Sequence, residues 1–279
     1  MTPLNSNPAA SSSSAPAVGV RHVSLAFEDK LVLDDVSFEL RGGETLILLG
    51  VTGSGKSVLL KLLLGLLKPD AGQVLIEGKD LGPLEETELL PFRRRMGIVF
   101  QEGALFDSLS VFENVAYRLR EDGEKNEERI EQRVREVLRF VELEPTLEKM
   151  PAELSGGMRR RVSIARAIVS EPSIMLYDSP TAGLDPVTAH TINILIAKLR
   201  DIERVSTLVV THRIADAYAL ARFAYSPERQ DLVPAAADGG ADGRSPSRFL
   251  VLREGTVYFW GSAEEMAGTR DPYLRGFFS

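Results

Sequence analysis

The chain of 279 residues can bury a substantial core, and its 44% hydrophobic and 26% charged residues are typical of a soluble globular protein. Its formal net charge of −7 argues against a general nucleic-acid binder, which would need a basic surface. The absence of cysteine excludes disulfides and thiolate metal sites. No apolar run reaches membrane-spanning length and the N-terminus lacks a signal segment, so we expect the protein to stay where it is synthesised.

The first part of the sequence predicts a tail followed by β-structure. Residues 1–18 are rich in serine, alanine and proline, a composition that indicates a disordered tail. Order is expected to begin near Val20, so that residues 19–279 form one domain. The runs Val23–Phe27 and Val36–Leu40 read as strands and predict a β-rich N-terminal part.

Residues 50–57 read Gly-Val-Thr-Gly-Ser-Gly-Lys-Ser. They lie between an apolar strand, Thr45–Leu49, and an apolar, hence buried, helix that Pro69 is expected to end. Glycines let backbone N–H groups turn toward an anion, Lys56 supplies a charge for the β- and γ-phosphates, and the Ser57 hydroxyl can ligate Mg²⁺. An ordinary glycine turn is the alternative, but the strand–loop–helix setting favours a phosphate-binding loop. A nucleoside triphosphate is therefore expected to contact Gly50, Gly53, Ser54, Gly55, Lys56, Ser57 and Val58.

The middle of the chain becomes helical. Short strands are predicted at Gln73–Glu77 and Met96–Phe100, and a helical lobe follows over residues 102–170. One charged helix of this lobe places its apolar residues on a single face, which predicts packing against a core. These residues are Ile130, Val134, Val137, Leu138 and Val141.

After the lobe, the pattern returns to buried parallel strands, Ile174–Tyr177 and Thr207–Thr211, with the helix Ala189–Leu199 between them. A surface loop is predicted over residues 227–247 from its content of proline, alanine, glycine and aspartate, and β-structure resumes at Phe249. The whole pattern predicts an α/β fold, a RecA-like P-loop NTPase core with an inserted helical lobe and the β-rich N-terminal part.

Two further positions carry chemistry. Asp178 ends a predicted parallel strand, and open α/β sheets bind ligands at the carboxyl ends of their strands, so it is predicted to hold Mg²⁺ directly or through water. Ser155-Gly156-Gly157 precedes a helical run and allows two interpretations. Ser155 can be an ordinary N-cap, or the helix N-terminus can form a second phosphate site, which would imply two chains closing over one ATP.

These motifs, in their order along the chain, resemble those of the nucleotide-binding subunits of ABC transporters. They are Gly50–Ser57, Gln101, Leu154–Met158, Asp178, Ala182–Asp185 and His212. The resemblance implies ATP as the nucleotide and a dimer of two copies of this chain. It also implies that Gln101 links the metal and the attacking water to the helical lobe. Ser155, Gly156 and Gly157 would form the tip that meets the γ-phosphate on the partner subunit. Asp185 would lie at the dimer interface, and His212 would sense the γ-phosphate.

Finer features resemble the Mla/Mce branch of that family, which energises lipid movement across bacterial envelopes. They are Phe100–Phe106, Asn114–Tyr117, Met158 and Asp271–Phe278. Phe27 falls where the family stacks an aromatic ring on adenine, with a core phenylalanine as the alternative. The resemblance implies a peripheral position on the cytoplasmic face of the bacterial inner membrane. Integral-membrane permease subunits would dock on Ala104–Tyr117, especially on an exposed Leu105–Phe106 pair, and would connect the chain to an Mce-type lipid-binding protein.

One position departs from the family. Ser179 follows Asp178 where the family usually carries a glutamate that polarises the attacking water, and losing such a group typically costs about 10²–10⁴-fold in rate. His212 alone, or Glu102, would then have to position the water. Two functions stay open: an ATPase that drives a permease, and an ATP-gated clamp with impaired hydrolysis. A soluble ABC ATPase acting on DNA or ribosomes is disfavoured, because the chain lacks a long coiled-coil insertion and a second cassette and is acidic.

Overall fold

The structure is a computed structural model that describes residues 15–28, 30–235 and 247–277. Most of the predicted tail lies outside these residues. Ordered structure begins earlier than Val20, because Val18 already opens the first strand. Its side chain is fully buried, and its backbone pairs with Leu40 on one side and Ile76 on the other.

The strands are β1 (Val18–Phe27), β2 (Lys30–Leu40), β3 (Thr45–Leu49), β4 (Ala71–Ile76), β5 (Lys79–Asp80), β6 (Met96–Val99), β7 (Ile174–Asp178), β8 (Ser206–Val210), β9 (Phe223–Ser226), β10 (Asp231–Pro234), β11 (Ser247–Arg253) and β12 (Thr256–Ser262). The helices are α1 (Lys56–Leu63), α2 (Glu86–Arg94), α3 (Val111–Glu121), α4 (Glu127–Phe140), α5 (Gly156–Ile168), α6 (Pro186–Glu203), α7 (Ile214–Arg222), α8 (Ala263–Gly268) and α9 (Pro272–Arg275). None of the described helices is long and apolar enough to span a bilayer.

The central sheet has the order β12-β11-β3-β8-β7-β6, and all of its strands except β12 run parallel. Strand β3 shows why both faces of this sheet are covered. Leu46 and Leu48 join the core formed with α1 and the N-terminal sheet, whereas Ile47 and Leu49 join the core formed with the helices of the other face. The predicted α/β class is confirmed. The β-rich N-terminal part is confirmed as well, as an antiparallel sheet of order β2-β1-β4-β5.

The helices confirm the predicted lobe in outline but shift several boundaries. All five apolar residues of the α4 face are fully buried, as predicted. The lobe's first helix begins only at Val111, and α2 was not predicted. Helix α1 ends at Leu63 rather than at Pro69. Gly65, with φ +65°, adopts the left-handed conformation that closes the helix, and the N–H of Leu66 donates to the carbonyl of Lys61 at 2.9 Å.

The prediction of a surface loop over residues 227–247 needs correction. Strand β10 occupies part of this range and pairs antiparallel with β9, so a β-hairpin stands where a loop was expected. The imidazole of His190 on α6 lies 2.9 Å from the Asp231 carboxylate and connects the hairpin to the core. Residues 236–246 lie outside the described part of the chain, and Ser247 already belongs to β11.

Candidate functional site

The predicted phosphate and metal residues meet at one edge of the central sheet. Strands β3, β8, β7 and β6 are neighbours and run parallel, so their carboxyl ends lie side by side. Gly50 follows β3, Asp178 ends β7, and His212 and Gln101 come shortly after β8 and β6. The structure therefore brings these four positions to the edge where open α/β sheets bind ligands.

The loop between β3 and α1 depends on glycine at two crowded positions. Gly50 has φ +154°, and a Cβ there would lie 2.6 Å from the Leu252 carbonyl oxygen. Gly55 has φ +103°, and a Cβ there would lie 2.6 Å from the Leu33 side chain. Gly55 is also the N-cap of α1 and provides no side-chain acceptor, so the first N–H groups of the helix face the loop.

Lys56 lies over this loop. Its ammonium donates to the carbonyl oxygens of Gly50 at 2.8 Å and Val51 at 2.7 Å. Burial lowers the pKa of Lys56, and the charge of Asp178 partly offsets that shift, so the ammonium lies within electrostatic reach of the carboxylate across the edge. The Ser57 hydroxyl belongs to an exposed residue at the start of α1, beside this pair. A cation and a carboxylate facing one helix N-terminus suit a phosphate with its metal ion.

Ser179, which replaces the usual glutamate, is held close to Asp178. Its hydroxyl donates to the Asp178 carboxylate at 3.2 Å, and its N–H donates to the Val210 carbonyl at 2.8 Å. The residue is only 8% exposed and has φ +49°, in the left-handed region. The hydroxyl is thus a donor to the candidate metal ligand, and it supplies no base for an attacking water.

The remaining edge residues are accessible. Gln101, Glu102 and His212 are exposed. The charge of Glu102 acts on Arg160, whose buried guanidinium donates to the Phe100 carbonyl at 2.7 Å. Phe27, at the end of β1, is 46% exposed, which excludes the alternative of a core phenylalanine.

A second group of predicted residues forms a helix tip made by the N-termini of α5 and α6. Ser155 caps α5, and its hydroxyl accepts from the Met158 N–H at 3.2 Å. Asp185 caps α6, and its carboxylate accepts from two backbone N–H groups at 3.0 Å and from the Thr188 hydroxyl at 2.5 Å. These bonds, the one from Thr188 foremost, lower the pKa of Asp185. A Cβ at Gly157 would lie 2.3 Å from Thr188, so glycine lets the two helices touch.

The helix tip stands apart from the phosphate loop of the same chain. Helix α5 packs beside the end of β6, where the Arg159 carbonyl lies 3.5 Å from a Cβ built on Gly103. Ser155 is four residues earlier, about 6 Å further along the helix axis and therefore beyond the sheet edge. Strands β6 and β3 are separated by three strand spacings, about 14 Å. The N-cap interpretation of Ser155 is confirmed by the hydrogen bond from Met158, and the residue is exposed.

Sequence reasoning missed one polar cluster near the edge. The guanidinium of Arg213, next to His212, donates to the carbonyls of Thr181 at 3.0 Å and Leu184 at 3.4 Å. It also lies 3.3 Å from the Asp216 carboxylate. No sequence signal marks this cluster, because Thr181 and Leu184 lie in the loop before α6 whereas Arg213 and Asp216 lie at the start of α7.

The donor set at the edge fits magnesium rather than a transition metal. The available groups are a carboxylate, a hydroxyl and an amide, from Asp178, Ser57 and Gln101. Mg²⁺ prefers such oxygen ligands and is commonly bound through one or two protein groups together with phosphate and water. Within the described ranges, no group of three or more His, Cys, Asp or Glu residues could enclose a metal ion by itself.

The profile of the ABC transporter family matches residues 33–182 of the chain, and this match decides the family. The chain belongs to this family. It is an ABC-type cassette, and the ATPase activity predicted from the motifs is confirmed at the level of the family. The chain is 36% identical over 208 residues to the intermembrane phospholipid transport ATP-binding protein MlaF of Haemophilus influenzae, covering 75% of this chain and 79% of that protein.

Other relatives carry different names. The probable ribonucleotide transport ATP-binding protein mkl of Mycobacterium leprae is 40% identical over 198 residues, which are 71% of this chain but only 57% of that protein. The TRIGALACTOSYLDIACYLGLYCEROL 3 protein of Arabidopsis thaliana is 35% identical and covers 92% of this chain and 72% of its own length. The chain therefore spans just over half of the mycobacterial relative.

Solved structures confirm the cassette fold. The dimeric ATP-binding cassette MJ0796, described as a post-hydrolysis state bound to ADP and Pi, has a TM-score of 0.72 and 30% identity, covering 88% of this chain and 98% of that one. The cbiO1 protein of Clostridium perfringens, part of the ABC transporter complex cbiONQ, has a TM-score of 0.76 and 25% identity, with 92% of each chain covered.

Proposed function

We propose that two copies of this chain close around two ATP molecules and thereby drive a membrane permease that moves phospholipid or another lipid. The observation that carries the proposal is the division of the site into two half-sites. The phosphate-loop half-site is Gly50–Ser57 with Asp178, Ser179, Gln101 and His212. The helix-tip half-site is Ser155–Gly157 with Asp185. Gly50 follows β3, whereas Ser155 caps a helix that packs beside β6, three strand spacings or about 14 Å away, so one ATP would be completed by the tip of a partner copy.

In this proposal the sheet edge holds the phosphates and the magnesium ion. Lys56 and the backbone N–H groups of the loop bind the β- and γ-phosphates. Ser57, Gln101 and Asp178 are the groups that would hold Mg²⁺, which when bound neutralises phosphate charge. His212, exposed at the end of the neighbouring strand, would contact the γ-phosphate, and Phe27 would stack on the base.

A lipid is the favoured cargo on the grounds of relatedness. The MlaF proteins are matched over most of their length, since the Escherichia coli protein aligns over 94% of this chain and 88% of its own. The mkl protein, named for ribonucleotide transport, is matched over 57% of its length. We therefore place the chain peripherally on the cytoplasmic face of a bacterial inner membrane, coupled through its permease to an Mce-type lipid-binding protein.

The permease would dock on the first part of the helical lobe. Phe106 and Tyr117 are each 42% exposed, and their rings pack at a tilt of 53° with centroids 4.9 Å apart. The exposed Leu105–Phe106 pair predicted from sequence is wrong at Leu105, which is half-buried against the core. The exposed pair in the structure is Phe106–Tyr117. An F106D variant should lose co-purification with the permease, whereas L31D, at a 54% exposed position on β2, should retain it. Retention by F106D would contradict this docking site.

A specific observation favours a second function, an ATP-gated clamp with weak hydrolysis. Ser179 is buried against Asp178 and supplies no base. Steady-state phosphate release by the purified complex separates the two functions. The clamp predicts a gain of about 10²–10⁴-fold in S179E, because a general base is added, and little change in S179A. Comparable turnover in the wild type and S179E would exclude the clamp and support a transport ATPase.

The dimer is tested directly. Calorimetry should record heat when Mg-ATP is added to the purified chain, and sedimentation velocity should show a shift from monomer to dimer. Absence of heat would contradict nucleotide binding altogether. Binding without a dimer would contradict the two-copy arrangement alone.

A further inference from the structure

The loop after β8 and the loop after β7 are joined by one arginine. We call residues 179–185, which carry Ser179 and Asp185, the interface loop. The guanidinium of Arg213 donates to two of its carbonyls, those of Thr181 at 3.0 Å and Leu184 at 3.4 Å. Leu184 directly precedes Asp185. The Arg213 side chain therefore hydrogen-bonds to the interface loop both near its middle and near its end.

Arg213 is itself fixed by a buried carboxylate. Its Nε lies 3.3 Å from Asp216, whose side chain is 8% exposed. The same carboxylate accepts from the Thr181 hydroxyl and, at 2.9 Å, from the Asn193 amide. Asp216 therefore holds the arginine and the interface loop together. A charge-assisted contact of this kind loses more than a neutral hydrogen bond when one partner is removed.

These contacts confine His212. Its two neighbours along the chain are both held, since the Arg213 N–H donates to the Thr211 hydroxyl at 3.0 Å and the Thr211 N–H donates to the Leu48 carbonyl at 3.1 Å. Thr211 is buried whereas His212 is exposed. The backbone of His212 is thus joined directly to Arg213, whose guanidinium contacts the carbonyls of the interface loop.

We propose that Arg213, held by Asp216, is a positioning residue that couples His212 at the phosphate edge to Asp185 at the helix tip. Its guanidinium is directed to the interface loop and to Asp216, so it would act through them. When His212 contacts the γ-phosphate, Arg213 holds the interface loop in one arrangement. Phosphate contact and closure of the two copies then occur together. This inference rests on the proposed ATP-bound dimer.

The test uses the full-length purified chain with Mg-ATP. In R213Q a neutral amide replaces the guanidinium and cannot span two carbonyls and a carboxylate. We expect ATP-induced dimerisation, measured by sedimentation velocity, to weaken by about tenfold or more, as the loss of one charged hydrogen bond implies. The Hill coefficient for phosphate release should fall toward one. Uptake of a fluorescent ATP analogue by the monomer should stay within about twofold, because the phosphate loop is untouched.

Arg133 supplies a matched control. Its guanidinium also donates to two carbonyls, those of Val169 at 3.0 Å and Ile168 at 3.3 Å, and also pairs with a carboxylate, that of Glu136 at 2.8 Å. It lies on α4 near the amino ends of β7 and β8, at the opposite edge of the sheet from His212. R133Q should therefore lower the urea midpoint without changing dimerisation or the Hill coefficient. An equal loss of dimerisation in R133Q and R213Q would reduce Arg213 to a structural role and overturn the proposal.

A double-mutant cycle completes the test. If Arg213 and Asp216 act as a unit, R213Q combined with D216N should lose less dimerisation than the sum of the two single losses, although Asp216 also contacts Thr181 and Asn193. Additive losses would overturn the pairing. Should R213Q not fold, D216N takes its place, and wild-type dimerisation in D216N would overturn the proposal. Failure of the wild-type chain to dimerise is a separate result that rejects the proposed function itself.

Discussion

The phosphate-loop half-site and the helix-tip half-site are built by different means. The phosphate-loop half-site depends on backbone conformations that only glycine tolerates, at Gly50 and Gly55, and grows directly from buried strands. The helix-tip half-site is made of helix caps, with Ser155 and Asp185 as exposed residues. In the proposed function the first would bind an anion in the monomer, whereas the second would contact only a ligand held by a partner copy. This difference makes the two half-sites separable by mutation.

The largest expected effect is in the phosphate-loop half-site. K56A removes the ammonium, and the loss of a charged contact to phosphate should weaken Mg-ATP binding by at least about 30–100-fold, or 2–3 kcal/mol. Isothermal calorimetry on the monomer measures it. K61A, at an exposed lysine of the same helix, is the control and should bind like the wild type. Near-normal Mg-ATP affinity in K56A would contradict the assignment of residues 50–57 as the phosphate-binding loop.

The next largest effect is expected from a substitution that disturbs the packing of α5 against α6 at the helix tip. G157A places a Cβ 2.3 Å from Thr188, and we expect a loss of about 1–3 kcal/mol in the free energy of unfolding because α5 and α6 must separate. Urea unfolding measures it. The neighbouring G156A is the control, since its Cβ would meet Leu184 only at 3.6 Å. Equal stability of G157A and the wild type would show that the tip is loosely packed.

A capping substitution should have a smaller effect on stability. S155A removes the acceptor of the Met158 N–H and should cost about 1 kcal/mol. Monomer affinity for Mg-ATP should be retained while ATP-induced dimerisation falls, because only the tip is changed. Comparing S155A with S110A, which removes a similar cap from α3, separates the two effects. If both variants dimerise equally well, the tip does not contact nucleotide.

The smallest effect is a pH dependence at Asp185. Hydrogen bonds from Thr188 and from the helix N-terminus lower its pKa in the folded chain. A lowered folded pKa gives stability that is fully present above the unfolded value, about 3.9, and is lost as pH falls through the folded pKa. The difference in urea midpoint between the wild type and D185N should thus be constant near neutrality and shrink below about pH 4. A difference that grows on acidification would contradict the cap.

Much of the phosphate-loop half-site could be predicted from sequence, because β3, β7 and β8 are apolar runs whose ends carry the functional residues. The helix α2 was missed because Pro91 lies inside it and few of its residues are apolar. The end of helix α1 near Gly65 was missed because proline, here Pro69, is the stronger helix-ending residue in the sequence. The Arg213 contacts could not be predicted at all. They depend on two loops, far apart in sequence, that meet only after β7 and β8 pair.

Strand β3 has a consequence for how the protein opens. It lies between β11 and β8, and its side chains alternate between the two cores, so neither core can loosen without disturbing it. Its amide protons should exchange with deuterium only when the entire cassette comes apart. The base of the phosphate loop would thus stay in place until the cassette unfolds.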